Sequence, residues 1–254
     1  MKFLSICLAV CLVMFSAGAA LADEMVSLKV GYQSLSPSGT FAGESGGVET
    51  SIDMDDDIDF DDSDDVTAEI ALQLGNSRLS FNYLPISFTG TGVGDFTFNG
   101  QNFSGNVKGE VSADIYDIGY SYNVLNLDDL PTRLQLGLEV AVKIIEGEAS
   151  ITGSTDALPF VVTTESVSGT AAIPTLGLRT RVALADFIGL IGRVGYMEYD
   201  DNSFVDAEAQ LEFSPFPMTG IYAGYRIFDL EVNESDLLLD VDFTGPYIGA
   251  FARF

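Results

Sequence analysis

The sequence contains no histidine, and its two cysteines, Cys7 and Cys11, lie close to the N-terminus. Histidine is the side chain that enzymes use most often as a general acid or base, and it is the base of many nucleophilic dyads and triads. Its absence excludes the commonest catalytic arrangements, so we predict that the protein is not an enzyme. Paired carboxylates such as Glu208 and Glu212 are interpreted as partners of arginines rather than as an acid–base pair.

Basic residues are scarce as well. Lys and Arg together number 11 against 38 Asp and Glu, which gives a formal net charge of −27. A nucleic-acid partner is excluded, because contacts to phosphate groups require Lys and Arg. The sequence also predicts no cofactor.

The first residues combine Lys2, a short apolar segment and the tripeptide Ala20-Leu21-Ala22. This pattern predicts a secretory signal peptide over residues 1–22, cleaved before Asp23. Its apolar segment is too short to span a bilayer as a helix. Both cysteines lie within it, so the mature chain leaves the cytoplasm without cysteines and without disulfide bonds.

Long apolar runs are missing, although 47% of the residues are hydrophobic. The apolar residues alternate instead, as in Leu134 to Val142, and alternation with period two predicts β-strands. The sequence therefore predicts an all-β protein over residues 23–254. Ten such strands, with eight or twelve as alternatives, would form a single closed antiparallel transmembrane β-barrel. Long external loops at about 36–65, 87–110 and 145–170 alternate with short turns at the other end.

Alternation alone does not decide which face meets lipid, because a soluble lipocalin-like barrel alternates too, with its apolar face inward. The basic residues almost all share the non-apolar face, where acidic residues can pair with them. A closed lumen favours such pairing, because a buried charge is costly without a partner. We therefore predict a luminal charge network of Lys29, Glu69, Arg78, Asp117, Arg133, Glu139, Lys143, Arg179, Arg181, Arg193, Asp206, Glu208, Glu212, Arg226 and Arg253.

The last predicted strand carries the pattern of an assembly signal. Tyr247, Gly249 and the terminal Phe254 match the spacing of the C-terminal insertion signal of Gram-negative outer-membrane barrels, although Ala252 stands where an aromatic residue is commoner. The barrel-assembly machinery is the partner that this signal implies during insertion.

The chain resembles the small Gram-negative outer-membrane β-barrel proteins of unknown function. The resemblance extends over most of the mature chain and is sharpest at residues 53–65, 95–105, 147–153, 173–177 and 240–247. It implies a location in the cell outer membrane, among its lipids and lipopolysaccharide. The family has no assigned catalytic or binding residues, so none is transferred to this chain.

The first long connection is strongly acidic, with nine aspartates between Asp53 and Asp65. It begins like a calcium-binding loop, but Ile58 replaces the glycine of the sharp turn and Asp64 replaces the bidentate glutamate. No specific metal site is therefore predicted. A diffuse role remains open, in which these acids share divalent cations with lipopolysaccharide phosphates.

Two functions are compatible with these observations. The first is a structural or surface-interaction protein whose lumen is filled and charge-paired. The alternative is a narrow passive channel for ions or small solutes. Eight strands leave an interior that side chains can fill and sixteen leave a pore, so a ten-stranded barrel favours the filled lumen.

Overall fold

The computed structural model describes residues 25–45, 48–54, 57–98, 101–127, 133–155, 158–216, 218–234 and 237–254. The predicted signal peptide and its cleavage site lie outside these residues. Within them the chain forms β-strands and turns and no helix. None of these residues belongs to a helix that is long and apolar enough to cross a bilayer. The strands are β1 (Val26–Ser45), β2 (Val48–Asp53), β3 (Ile58–Phe60), β4 (Ser63–Leu74), β5 (Ser77–Phe98), β6 (Gln101–Leu127), β7 (Arg133–Thr155), β8 (Leu158–Ala185), β9 (Ile188–Tyr199), β10 (Asn202–Phe216), β11 (Thr219–Glu234) and β12 (Leu237–Arg253).

Ten of these strands close into a ring. β1 pairs with β4, each strand from β4 to β12 pairs with the next, and β12 pairs back with β1. All of these pairings are antiparallel. The closing ladder runs from Ser27 opposite Arg253 to Gly43 opposite Leu237. The prediction of a ten-stranded, closed antiparallel barrel is confirmed.

The long connections are built differently from the loops expected from the sequence. Most of residues 87–110 and 145–170 continue the strands as two tall hairpins, β5–β6 and β7–β8. In the first connection β1 runs on to Ser45, β2 pairs with β1, and β3 continues the wall beside β5. The reason is that alternation persists in these segments with its polarity reversed, so that Val107 and Val111 face inward and Glu110 faces outward.

Short turns lie at the end of the barrel that carries Val26 and Phe254, which is the periplasmic end in outer-membrane barrels. Gly75, with φ of 59°, makes a tight turn between β4 and β5. At the opposite end, β9 and β10 are joined by Asp200 and Asp201, whose φ angles of 51° and 67° are those of a two-residue hairpin turn. This connection is short although it lies at the external end.

The outward face of the periplasmic half is apolar and exposed. Val30, Val140 and Leu176 each keep more than half of their surface accessible. Tyr120 and Tyr225 are exposed on the same outward face. Apolar side chains in this number on the outside of a closed barrel require a lipid surround.

Candidate functional site in the barrel interior

Charged residues meet in the lumen because the strands alternate and because their registers place opposite charges side by side. β10 presents Asp206, Glu208 and Glu212 inward. Arg193 on β9 and Arg226 on β11 both pair in register with Glu208. On the other side of the barrel, Asp117 stands opposite Lys143, and Lys29 stands opposite Glu69.

At the centre, two cations share two carboxylates. Arg193 donates from Nη1 to Asp117 Oδ2 at 2.9 Å and from Nη2 to Asp206 Oδ2. Lys143 Nζ lies 3.0 Å from Asp117 Oδ2 and 2.7 Å from Asp206 Oδ2. All four side chains are almost completely buried. Glu139 is 3.7 Å from Arg193 Nε, so the guanidinium group is held on several sides.

The remaining ion pairs extend this centre sideways and towards the periplasmic end. Arg226 donates to Glu208 at 2.6 Å and Arg78 donates to Glu69 at 2.7 Å. Arg179 lies 3.9 Å from Glu139. Glu212 is contacted by the following three cations: Lys29, Arg181 and Arg253.

Arg133 has the predicted inward register but lies outside this network. Its guanidinium group donates to Asp186 at 2.7 Å, and both side chains are solvent-exposed at the periplasmic rim. The prediction that Arg133 belongs to the luminal charge network is therefore corrected. Arg133 is the first residue of β7, so it lies at the edge of the barrel, away from the buried ion pairs.

The predicted insertion-signal residues contribute to closure of the barrel. Phe254 exchanges two backbone hydrogen bonds with Val26, at 2.9 and 3.1 Å. Gly249 leaves room for the ring of Tyr222, because a Cβ atom there would lie 2.5 Å from that ring. Tyr247 faces the lumen beneath Arg226, 5.1 Å from its guanidinium carbon. Their role as an insertion signal stays a prediction.

A second, apolar layer fills the lumen on the external side of the ion pairs, and the sequence analysis missed it. Its core is formed by buried side chains of six strands: Leu35, Leu84, Ile86, Phe88, Ile115, Ile173, Phe204 and Phe228. The rings of Phe88 and Phe243 stack at 5.2 Å. Gln33 joins the two layers, because its amide donates to Pro85 O at 2.9 Å and accepts from Arg226. The sequence does show this layer on β5, where the inward-facing residues that follow Asn82 are the apolar Leu84, Ile86 and Phe88.

Two cavities flank these layers. The periplasmic funnel, a cavity of about 640 Å³, is lined by Arg78, Arg181, Arg253 and Glu212 among others, and the ion pairs form its floor. The outer cavity, of about 490 Å³, lies beyond the apolar layer and is lined mainly by apolar side chains from β3, β6, β7, β8, β11 and β12. The funnel and the outer cavity are separated by both filled layers.

The external surface is acidic. On β11 and β12, Asp229 stands directly opposite Asp242, and Glu231 stands opposite Asp240, all on the outward face. Partial burial, together with the neighbouring carboxylates, raises the pKa of Asp229 above the ordinary value for aspartate. The same causes raise the pKa of Asp242. Like charges therefore face each other above the membrane.

The acidic first connection shows no metal-binding geometry in the part of the chain that the structure describes. Ser36 donates to Asp62 at 2.6 Å and Ser63 donates to Asp65 at 2.6 Å, so these carboxylates are bonded to serines. Asp55 and Asp56, at the centre of the calcium-like motif, lie outside the described residues.

The chain is similar to solved outer-membrane barrels. The outer membrane protease OmpT from Escherichia coli superposes with a TM-score of 0.62 at 10% identity, over 94% of this chain and 100% of that chain. This chain has the outer-membrane β-barrel fold. Two weaker likenesses are the translocator domain of the autotransporter NalP from Neisseria meningitidis (TM-score 0.49, 13% identity, 100% and 96% covered) and Ail of Yersinia pestis (0.37, 12%, 91% and 99%). No protein-family model and no curated protein sequence matches the chain.

The lipid-facing belt and this fold together place the protein in the outer membrane of a Gram-negative cell, as predicted. At 10% identity the likeness to OmpT shows the fold alone, and the protease activity of that protein is not transferred to this chain.

Proposed function

We propose that the protein is a closed outer-membrane barrel that acts as a structural or surface-interaction protein. One observation carries the proposal: two successive layers fill the lumen. The central ion pairs leave Lys143, Asp117 and Asp206 almost inaccessible, and the apolar layer above them buries Leu35 and Phe88 to the same degree. A hydrated ion would have to break the first layer and then cross the second without polar partners.

The alternative function, a narrow passive channel, draws support from the periplasmic funnel. Behind its floor lies a further pocket of about 40 Å³, beside Lys29 and Arg179. This pocket brings solvent-sized space within reach of the ion pairs. The apolar layer lies beyond it, so the filled lumen remains the better-supported proposal.

The experiment is single-channel recording on the refolded protein in planar bilayers, with folding verified by the different gel mobility of unheated and boiled samples. We expect no stable conductance from the wild-type protein. The double variant Phe88→Ala and Phe204→Ala, which thins the apolar layer, tests whether that layer is a seal. Regular conductance steps from the folded wild-type protein would overturn the proposal in favour of the channel.

The partners that go with this role are lipopolysaccharide and divalent cations on the outside and the assembly machinery during insertion. The support for the first is the outward acidic surface above the lipid belt, where Asp229 and Asp242 face each other. Divalent cations shared with lipopolysaccharide phosphates would relieve that repulsion. Outer-membrane permeability to a hydrophobic dye, measured with and without chelator in cells with and without the protein, tests this role. The role would be contradicted if the difference in permeability between cells with and without the protein were the same in the presence and absence of chelator.

A further inference from the structure

The outer cavity exists because three adjacent strands present almost no side chain at one level. Ala113 on β6 pairs with Gly147 on β7, and Gly147 pairs with Gly169 on β8. A Cβ atom added at Gly169 would meet nothing within 4 Å, and one at Gly147 would meet only Ser112 O at 3.8 Å. None of these positions has a positive φ, so no backbone conformation requires glycine here. The small residues instead leave space.

The walls around this space are apolar. Leu230, Val241 and Phe243 of β11 and β12 line it opposite the small residues, and Ile145 and Phe60 add further apolar surface. At about 490 Å³ the cavity is within the range of small-molecule sites, which are concave and mostly apolar. A cavity lined in this way offers water few hydrogen bonds and favours apolar occupants.

The cavity is reachable from outside. Val167 lines it from the inward face of β8 and keeps 49% of its surface accessible. On its periplasmic side the cavity is closed by the buried apolar layer around Phe88. A ligand would therefore enter from the external medium and would not pass through the barrel.

The surroundings of the cavity disfavour anions. Its lining is almost entirely apolar, and among the residues that line it there is no Lys or Arg to pair with a carboxylate or phosphate. Asp114, Glu146 and Glu148 lie on the outward face of the same wall, and Lys108, a basic residue of this external half, is paired with Glu110. An anion would therefore approach an acid-rich surface and lose its hydration without gaining a cationic partner, whereas an uncharged molecule would not.

We propose that the outer cavity binds an uncharged apolar small molecule from the external medium, of the class of medium-chain alcohols and hydrocarbons. This inference deepens, and rests on, the surface-interaction role proposed above. The small residues set the size of the site, the opposite wall provides apolar contact, and the acidic surroundings exclude anionic amphiphiles. The ion-pair layer has no part in binding.

The test is photolabelling of the full mature chain in lipid nanodiscs with a diazirine derivative of 1-octanol. Adducts are mapped by mass spectrometry, which separates cavity residues such as Val111 and Leu230 from lipid-facing residues such as Leu138. We expect labelled cavity residues in the wild-type protein. Gly169→Leu, which fills the open space, should lower their labelling roughly tenfold. Ser166→Val, on the exposed outer face of the same strand, should leave it unchanged.

Further arms keep the outcomes distinct. Gly147→Val is a second filling variant, used if Gly169→Leu fails to fold. The matching diazirine carboxylate should label the cavity less than the alcohol does. Adducts confined to lipid-facing positions in the wild-type protein, or equal cavity labelling in the filling variants, would overturn the site. Equal labelling by the carboxylate would overturn the assigned ligand class. Channel conductance together with specific cavity labelling would overturn only the closed-lumen proposal.

Discussion

The same strands have opposite polarity in the two halves of the molecule. On β7 the membrane half directs Val140 to lipid and Lys143 into the lumen. A few residues later Glu146 faces out and Ile151 faces in, with the register of pairing unbroken. The environment therefore changes while the backbone alternation does not. The membrane half resembles an inside-out protein, and the external half has the apolar interior of a soluble β-barrel.

This difference determines what stabilises each half. Lipid replaces water around the membrane half, so its apolar exterior needs no protein partner, and the specific interactions are the buried ion pairs. The external half stands in water and must bury apolar area as a soluble protein does. Substitutions confined to one half therefore measure the two kinds of stabilisation separately.

The largest effect is expected from the central arginine. Arg193→Ala should destabilise the barrel by about 3–5 kcal/mol, because it leaves Asp117 and Asp206 with only Lys143 to share. Unfolding in urea, followed by the loss of heat-modifiable gel mobility, measures the change. Arg133→Ala is the matched control, since its partner Asp186 is exposed and the pair should contribute no more than about 1 kcal/mol. Equal losses in the two variants would contradict the buried network.

Truncation in the apolar layer should damage the other half. Phe88→Ala removes a buried ring that stacks on Phe243 and should cost about 3–5 kcal/mol, with part of the loss taken up by local opening. Hydrogen exchange should therefore rise in the external parts of β5, β6 and β12 and stay low near Arg193. Uniform exchange throughout the barrel would show that the halves unfold together. Phe81→Ala is the control, because it removes the same ring from the lipid-facing surface and leaves the apolar layer intact.

The boundary between the halves can be located on one strand face. Val140→Lys places a charge in the lipid belt and should cost about 2–4 kcal/mol near the bilayer midplane. Glu146→Lys, three residues of the same outward face further along, should cost nothing measurable or stabilise slightly, because the external surface is acidic. Urea unfolding in vesicles gives both values. Similar costs for the two substitutions would move the boundary beyond Glu146.

The membrane half could be predicted closely from the sequence, and the external half could not. In the membrane half, large apolar residues such as Val140 and Leu176 recur at every second position, and this pattern predicts both the strands and the face that meets lipid. In residues 87–110 the alternation places Ser, Thr and Glu outward, a composition typical of a polar loop, although Val107 and Val111 continue the inward register. A strand that stands in water is identified by its alternation and not by its overall polarity.

Within the site, the face of each charge was predictable but its partner was not. Alternation assigns Arg193 to the lumen, whereas its contact with Asp117 crosses the barrel and depends on the stagger of all the strands between them. For Arg133 the predicted face is correct, but the residue lies at the periplasmic rim and not at the level of the buried ion pairs. The outer cavity requires Gly147 and Gly169 to stand opposite each other. Which residues of two strands face each other depends on how the strands pair, and the sequence of either strand alone does not show it.

The smallest effect concerns the repulsion on the outer surface. Asp229 stands opposite Asp242, and like charges directly opposite on a sheet are destabilising by roughly 0.2–1 kcal/mol. The pKa of Asp229 is raised in the folded protein by partial burial and by its acidic neighbours, so folding takes up protons. The contribution of Asp229 to stability should therefore be least favourable at neutral pH and should improve as the pH falls through the folded pKa towards that of the unfolded chain.

Asp229→Asn removes this penalty. We expect a small stabilisation at neutral pH that diminishes with added salt and disappears at acidic pH, where the wild-type carboxyl is itself protonated. Urea midpoints at two pH values and two ionic strengths measure it. Glu148→Gln is the control, because this outward carboxylate stands opposite the uncharged Ser112 and Ser168. A gain in Asp229→Asn that persists at acidic pH would assign the effect to packing, and the outer surface of the external half would then be free of the strain that its row of carboxylates implies.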